Sequence, residues 1–330
     1  MKLAIIGATG LVGRAFLRET ERLSLPVDRL VLAASGASAG KRLYLYGKAR
    51  KVEELSPDVF DGVDFALFSA GREISREYVP IAVKKGVRVV DNGSFFRMKE
   101  GVPLVVPEIN FSDVGESPVI ANPNCSTITA ILALNALKKF GLTSVRYVTF
   151  QSASGAGRKG LDDLTVTLRG ENPRFFPASL AKNCIPKIDD FLPDGYTGEE
   201  EKMRNETKKI LHLPDLSVSA TCVRVPVPFC HGVAVSAELK ENFTLNEIRE
   251  EWKKQDGVVV ADDTCHDVYP LGEMARCSDK TFVGRLRRDT ASENGVTFYC
   301  VADNLYKGSA SNAVEIVRDR KSTRLNSSHS

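Results

Sequence analysis

Cys125 stands at the head of an uncharged run. It lies in Asn122-Pro-Asn-Cys-Ser-Thr127, and no charged residue follows until Lys138. Thr127–Phe140 reads as a buried helix ended by Gly141, which places the cysteine at a helix N-terminus. There the helix dipole and first-turn amides favour the thiolate. A thiolate attacks an acyl carbon, and amides beside it hold the resulting oxyanion. For Cys184, Cys222, Cys230, Cys265, Cys277 and Cys300 the plainer reading, an inert thiol, is preferred.

A second constellation, Gly7-Ala-Thr-Gly-Leu-Val-Gly13, follows the apolar run Leu3–Ile6 and opens a helical pattern. Such glycines permit a tight turn, close approach of a pyrophosphate and close helix packing. The helix N-terminus then attracts the phosphate charge. The next strand ends in Ser35-Gly-Ala-Ser-Ala-Gly-Lys41, with no acid within it to hold a ribose 2′-hydroxyl, which favours NADP.

A nucleotide fold and a helix-capping cysteine together point to hydride transfer to or from a thioester, which needs a proton donor and acceptor. His329 falls in a compositionally odd tail, and His212 and His266 lie in polar stretches. His231, after Val225-Pro-Val-Pro-Phe-Cys, is therefore the candidate by elimination. Arg224 ends an otherwise uncharged strand and needs an anionic partner, either a structural carboxylate or a substrate carboxylate.

The elements that must position these groups fall into two patterns. Up to about residue 120, strands (Leu3–Ile6, Leu30–Ala34, Phe65–Ser69, Val87–Val90) alternate with helical stretches such as Glu77–Lys85. Short continuous apolar runs of this kind indicate a doubly wound parallel sheet of Rossmann type. Beyond Ser126, longer alternating runs (Ser144–Gln151, Val218–Pro226, Val233–Leu239, Phe298–Val301) read as antiparallel strands, with helices at Leu161–Arg169 and Glu199–Leu211. This half is an α+β substrate and dimerisation domain with a mixed, largely antiparallel sheet. We expect a dinucleotide-binding domain at 1–122 plus a C-terminal helix at about 304–320, and a catalytic and dimerisation domain at 123–303. Residues 321–330 are Ser/Asn/Arg-rich and read as a non-native tail.

Composition narrows the class. The 330 residues are 43% hydrophobic and 26% charged, an ordinary globular balance. A net charge of +3 gives no bulk attraction for nucleic acid or membranes. The uncharged stretch 117–137 contains Asn122, Pro123 and Asn124, which argues against a membrane span. The seven spread cysteines form no CxxC pair and read as reduced thiols in a cytoplasmic chain, with no metal site and no signal peptide.

Taken together, the motifs resemble the aspartate-β-semialdehyde dehydrogenase family along nearly the whole chain. They are Gly7–Gly13, Phe68-Ser-Ala-Gly71, Asp91-Asn-Gly-Ser-Phe-Phe-Arg97, Val105-Val-Pro-Glu-Ile-Asn110, Asn122–Thr127, Gln151-Ser-Ala-Ser-Gly-Ala-Gly157, Ala220-Thr-Cys-Val-Arg-Val-Pro226 and Asp303-Asn-Leu-Tyr-Lys-Gly308. The resemblance implies reductive dephosphorylation of β-aspartyl phosphate with NADPH, in lysine, methionine and threonine synthesis. It implies Cys125 as nucleophile, His231 as general acid/base and Gln151 as an orienting group. Arg224 would take the α-carboxylate and Glu199 the α-ammonium. Arg97, Asn124 and Lys202 would take the phosphate. The implied cofactor contacts are Gly7, Thr9, Gly10, Leu11, Val12, Gly13, Ser35, Ser38, Ser69, Ser154, Gly155 and Asn304. A homodimer or tetramer is implied as well. Without the resemblance, Glu199 and Lys202, spaced i, i+3, read as a solvated salt pair.

Two departures stand out. Ala37 replaces the family's usual arginine between the serines, which opens the loop to NAD. Gly93 replaces a serine or threonine and is expected to loosen its loop. The alternatives are an N-acetyl-glutamyl-phosphate type of reductase, whose substrate has no use for Glu199, and a catalytically silent nucleotide-binding homologue.

Overall fold

A computed structural model describes residues 1–327, with side chains through Arg320. The chain forms two compact units, Met1–Pro123 with the chain from Ser309 onward, and Asn124–Gly308.

The first unit holds a seven-stranded sheet. Its strands are β1 (Lys2–Ile6), β2 (Arg29–Ala34), β3 (Arg42–Leu45), β4 (Lys48–Glu54), β5 (Phe65–Phe68), β6 (Arg88–Asp91) and β7 (Val119–Ala121), in the order β3-β4-β2-β1-β5-β6-β7. All neighbours are parallel except the β3–β4 hairpin at one edge. Leu3, Ala4, Ile5 and Ile6 are fully buried, as a central strand covered on both faces requires. The order reverses between β1 and β5, which places a crevice at the carboxyl end of β1. Helix α1 (Leu11–Arg22) follows β1, α2 (Arg72–Lys84) follows β5, and α3 (Pro107–Asn110) is a single turn. The C-terminal helix, Ser311–Ser327, belongs to this unit and follows a π-turn at Tyr306–Ala310. Its backbone runs on through much of the segment read above as a tail. His329 lies outside the described residues.

The second unit is built on α4 (Cys125–Leu137) and a six-stranded sheet. Helix α4 is apolar all round and almost wholly buried, as its uncharged sequence demands. The strands are β8 (Leu142–Gln151), β9 (Ser217–Arg224), β10 (His231–Leu239), β11 (Val258–Val260), β12 (Thr281–Arg288) and β13 (Gly295–Ala302), in the order β11-β12-β13-β10-β8-β9. The run at 218–226, expected to be antiparallel, pairs parallel to β8, with Gln151 opposite Arg224. Side-chain alternation reports which face a residue occupies, not which way its neighbour runs, so sequence carries no signal for that direction. Around the sheet lie α5 (Gly157–Leu168), α6 (Gly198–Leu211), α7 (Leu245–Lys254) and α8 (Gly272–Ala275). Trp252 of α7 is fully buried and donates its indole N–H to the Ala133 carbonyl of α4 at 3.0 Å.

Candidate active site

In the first unit the glycine turn is dictated by steric exclusion. Gly7 has φ +81°, and a Cβ there would lie 2.5 Å from the Ser69 carbonyl oxygen. A Cβ at Gly13 would lie 2.3 Å from the Gly7 carbonyl oxygen. No side chain caps α1 and no acid sits in its first turn, so the helix end at Gly10–Gly13 faces the crevice with its dipole uncompensated. Thr9 Oγ1 donates to Ser38 Oγ at 3.1 Å, and Lys41 Nζ reaches the same oxygen at 3.4 Å. Ser69 sits at the opposite wall, after β5. These residues fit a dinucleotide, with pyrophosphate at the α1 amides and an adenosine ribose toward Ser35–Ser38.

The structure adds one group that the loop sequence hides. Glu54, at the end of β4, brings Oε1 to 2.7 Å from the position a Cβ on Gly36 would occupy. The acid absent from 35–41 is thus supplied from a neighbouring strand. Gly93 also departs from expectation. A Cβ there would meet Ser75 Oγ at 2.5 Å, while its N–H donates to Asp91 Oδ1 at 2.9 Å. The residue is tightly packed, so the glycine does not loosen the loop. Arg97 is buried in this unit and donates to the Asn92 carbonyl at 2.9 Å.

The second unit gathers Cys125, Asn124, Gln151, Glu199, Lys202, Arg224 and His231, together with Ser154, Gly155 and Asn304. Asn124 is the N-cap of α4. Its Oδ1 accepts from the amides of Ser126 at 2.9 Å and Thr127 at 3.2 Å. Its Nδ2 donates to Glu199 Oε1 at 2.8 Å, and its own amide donates to Glu206 Oε2 at 2.6 Å. Glu199 and Glu206 are spaced two turns apart on one face of α6, so a single helix grips the residue that presents Cys125. Sequence reasoning missed Glu206, because an acid in a strongly charged helix gives no local sign of burial.

Glu199 is far from a solvated pair. Its Oε1 also accepts from Gln151 Nε2 at 2.9 Å, and Lys202 approaches Oε2 at 3.2 Å while reaching Asp189 at 2.7 Å. Burial alone would raise this carboxyl. The Lys202 charge and the Asn124 and Gln151 bonds outweigh it and hold the pKa at about 2.

Arg224 ends β9 beside the Ala153–Ala156 turn. It is 5% exposed, donates through Nη1 to the Ser152 carbonyl at 2.7 Å, and pairs with no carboxylate among the described residues. Burial lowers its pKa, with the Glu199 charge acting in the opposite sense. His231 opens β10 and is fully buried; burial first, then the Arg224 charge, push its pKa down to about 3. Gly155 is what lets these two side chains share a wall. A Cβ there would lie 2.6 Å from Arg224 Nη1 and 3.1 Å from His231 Nε2. Asn304 Oδ1 ties the turn together, accepting from Ser152 Oγ, Ser154 Oγ and the Cys230 amide at 3.0–3.1 Å. A Cβ at Gly308 would come within 3.1 Å of Cys125 Cβ, so the Asp303–Gly308 motif backs directly onto that cysteine.

A doubly wound unit with an anion-ready crevice, and a mixed-sheet unit holding a cysteine in the first turn of a helix beside a buried histidine, arginine and glutamate, are the frame of a dinucleotide-dependent oxidoreductase. Residues 2–117 match the family described as semialdehyde dehydrogenase, NAD binding domain, and residues 134–307 match its dimerisation domain. The aspartate-semialdehyde dehydrogenase of Aquifex aeolicus is 46% identical, and that of Bacillus subtilis 42%; the matches cover 96% and 98% of this chain, and 96% and 99% of those proteins. The crystal structure of aspartate semialdehyde dehydrogenase II of Vibrio cholerae, complexed with ASA, superposes with a TM-score of 0.91 at 39% identity, covering 96% of this chain and 97% of that one. The chain belongs to the aspartate-semialdehyde dehydrogenase family.

Proposed function

We propose that this protein converts β-aspartyl phosphate to aspartate-β-semialdehyde through a thioester on Cys125, with NADP as cofactor, and acts as a cytoplasmic homodimer in lysine, methionine and threonine synthesis. The observation that carries the reading is Arg224, a buried cation with no carboxylate paired to it among the described residues, sharing a wall with His231. Of the two partners its sequence position left open, this favours a substrate carboxylate.

The side chains divide the work by charge. The Cys125 thiolate attacks the acyl carbon; a C–S bond forms, the C–O bond breaks, and phosphate leaves. Arg97, Asn124 and Lys202 receive that phosphate. Arg224 holds the α-carboxylate with its planar fork. Glu199, kept ionised by its three donors, receives the α-ammonium, and Gln151, bonded to the same carboxylate, orients the intermediate. The nicotinamide, when bound, supplies the hydride. His231 turns Nε2 toward the reacting oxygen. On collapse of the thiohemiacetal the C–S bond breaks and the aldehyde departs.

Ser35, Ser38 and Lys41 support a 2′-phosphate, while Ala37 and the nearby Glu54 carboxylate leave NAD open. The dimer reading rests on the dimerisation-domain match and on Val148 and Phe150, which β8 exposes on one sheet face, Phe150 meeting Tyr299 at 6.1 Å between ring centres. No helix among the described residues is long and apolar enough to cross a membrane.

The test is phosphate-dependent reduction of NADP, and separately of NAD, with aspartate semialdehyde. Turnover that needs both phosphate and this aldehyde is expected. Turnover only with N-acetyl-glutamate semialdehyde, or none with either aldehyde, would overturn the reading.

A further inference from the structure

Most of the Glu199 carboxylate is already taken before a substrate ammonium arrives. Oε1 accepts from Asn124 Nδ2 at 2.8 Å and from Gln151 Nε2 at 2.9 Å, and both donors belong to buried residues. Oε2 has a single partner among the described residues, the Lys202 ammonium at 3.2 Å. An incoming ammonium must therefore land on Oε2, where Lys202 already stands. Two cations crowded on one carboxylate oxygen repel each other, so Lys202 has to draw back. Asp189 is the group it draws back to. Lys202 Nζ already lies closer to Asp189 Oδ2, at 2.7 Å, than to Glu199. Main-chain bonds stitch the Asp189 loop to the start of α6: the Gly198 amide donates to the Asp190 carbonyl at 2.9 Å, and the Leu192 amide to the Tyr196 carbonyl at 2.7 Å. Asp189 Oδ1 accepts the Asp190 amide at 3.1 Å, which orients the carboxylate. Gly198, the first residue of α6, leaves room for Oδ2, since a Cβ there would lie 2.9 Å from that oxygen. The anchor is thus built by the fold independently of Lys202.

We propose, resting on the ammonium role given to Glu199 above, that Asp189 is a positioning residue that draws the Lys202 ammonium off Glu199 Oε2, so that this oxygen receives the α-ammonium of the substrate. The Asp189 charge acts twice in the same direction. It stabilises the lysine away from Glu199, and it adds its own attraction for the second cation. Without it Lys202 settles on Glu199 and neutralises the oxygen that the substrate needs. Phosphate responds in the opposite sense, because the Asp189 carboxylate repels an anion approaching Lys202.

The experiment is phosphate-dependent oxidation of aspartate semialdehyde by the full chain, with KM measured separately for the aldehyde and for phosphate. Asp189 has φ +69°, a conformation that asparagine and glycine both adopt, so Asp189→Asn and Asp189→Gly remove the charge and keep the backbone. Gly198→Ala perturbs the same contact from the other side, pushing the carboxylate away while Asp189 stays. The two Asp189 variants should raise the aldehyde KM about five- to tenfold, and Gly198→Ala about threefold, with the phosphate KM unchanged or lower. A merely structural role, or one of holding Lys202 for the anion, would raise the phosphate KM, and that result would overturn the proposal. An aldehyde KM within about twofold of wild type in all three variants would overturn it as well. Should the Asp189 variants fail to fold, Gly198→Ala decides by the same two constants. An unmoved aldehyde KM beside an active wild type sinks this proposal alone, whereas a wild type with no turnover of aspartate semialdehyde sinks the functional reading beneath it.

Discussion

Replacing Arg224 by methionine should separate binding from folding. Among the described residues the buried guanidinium has one hydrogen bond, to a main-chain carbonyl, leaves Nε without a partner and forms no ion pair with a carboxylate. Burying an unmatched charge costs several kcal/mol, against about 1.5–3 kcal/mol returned by one charge-assisted bond. Methionine fills similar volume with no charge. Stability should therefore hold or rise by about 1–2 kcal/mol, and each kcal/mol moves the melting temperature by about 2–4 °C in a unit of this size. Substrate binding responds in the opposite sense. A carboxylate brought into the same pocket with no cation loses about 3–5 kcal/mol, so kcat/KM should fall by about two to four orders of magnitude. Lysine should fall between the two, keeping charge but not the fork. Thermal melts and phosphate-dependent turnover on the same preparations read both effects. A methionine variant that loses more than about 2 kcal/mol of stability yet keeps kcat/KM within about threefold would make Arg224 structural, its task being to hold the Ser152 carbonyl.

Cys125→Ala should abolish turnover while NADPH binding, followed by nucleotide fluorescence, is unchanged; residual turnover would sink the nucleophile assignment. Gly155→Ala places a methyl 2.6 Å from Arg224 Nη1 and should cut kcat/KM at least about tenfold, with the melting temperature nearly unchanged. Ala37→Arg offers a charge to a 2′-phosphate and should raise the NADP-to-NAD ratio of kcat/KM by about tenfold; a smaller rise than in Glu54→Gln would locate the discrimination at the carboxylate instead. The folded chain holds His231 at a pKa of about 3, below the ordinary histidine value of 6.5, so the unfolded state gains a proton first as pH falls. Stability from this group is complete above about pH 6.5 and drains by about 1.4 kcal/mol per pH unit down to about pH 3. Urea midpoints of the wild type should thus fall more steeply than those of His231→Gln between pH 6.5 and 5; parallel curves would refute the buried neutral ring.

What sequence could and could not convey follows from the range of each signal. The glycine turn and the capped cysteine were legible because strand, turn and helix are contiguous there, so the spacing itself carries the geometry. The β3–β4 hairpin was not. Its residues Arg42, Lys48, Arg50, Lys51, Glu53 and Glu54 are those of a solvated sheet edge, with only Leu43, Leu45 and Val52 turned inward. That hairpin also conceals Glu54, since the strand pairing that aligns Ala34 with Glu54 spans twenty residues. Helix α7 was missed although its capping box, Thr244 with Glu247, stands plainly in the sequence. His231 was reached by elimination, and no pattern in the sequence could reveal that the Ser152 amide faces its Nδ1.

Glu199 shows why local spacing misjudged the charged residues. An i, i+3 acid–base pair on a helix is worth a few tenths of a kcal/mol when solvated, and sequence offers no reason to think otherwise. In the fold the same carboxylate is 5% exposed and receives three side chains from three separate segments, Asn124, Gln151 and Lys202. Two of those donors are uncharged and come from the residue before Cys125 and from the end of β8. Removing the charge with Glu199→Gln would therefore disturb the cap on α4 as well as the proposed ammonium contact. The helix that looked like surface in the sequence is the part of the fold that fixes where the thiol stands.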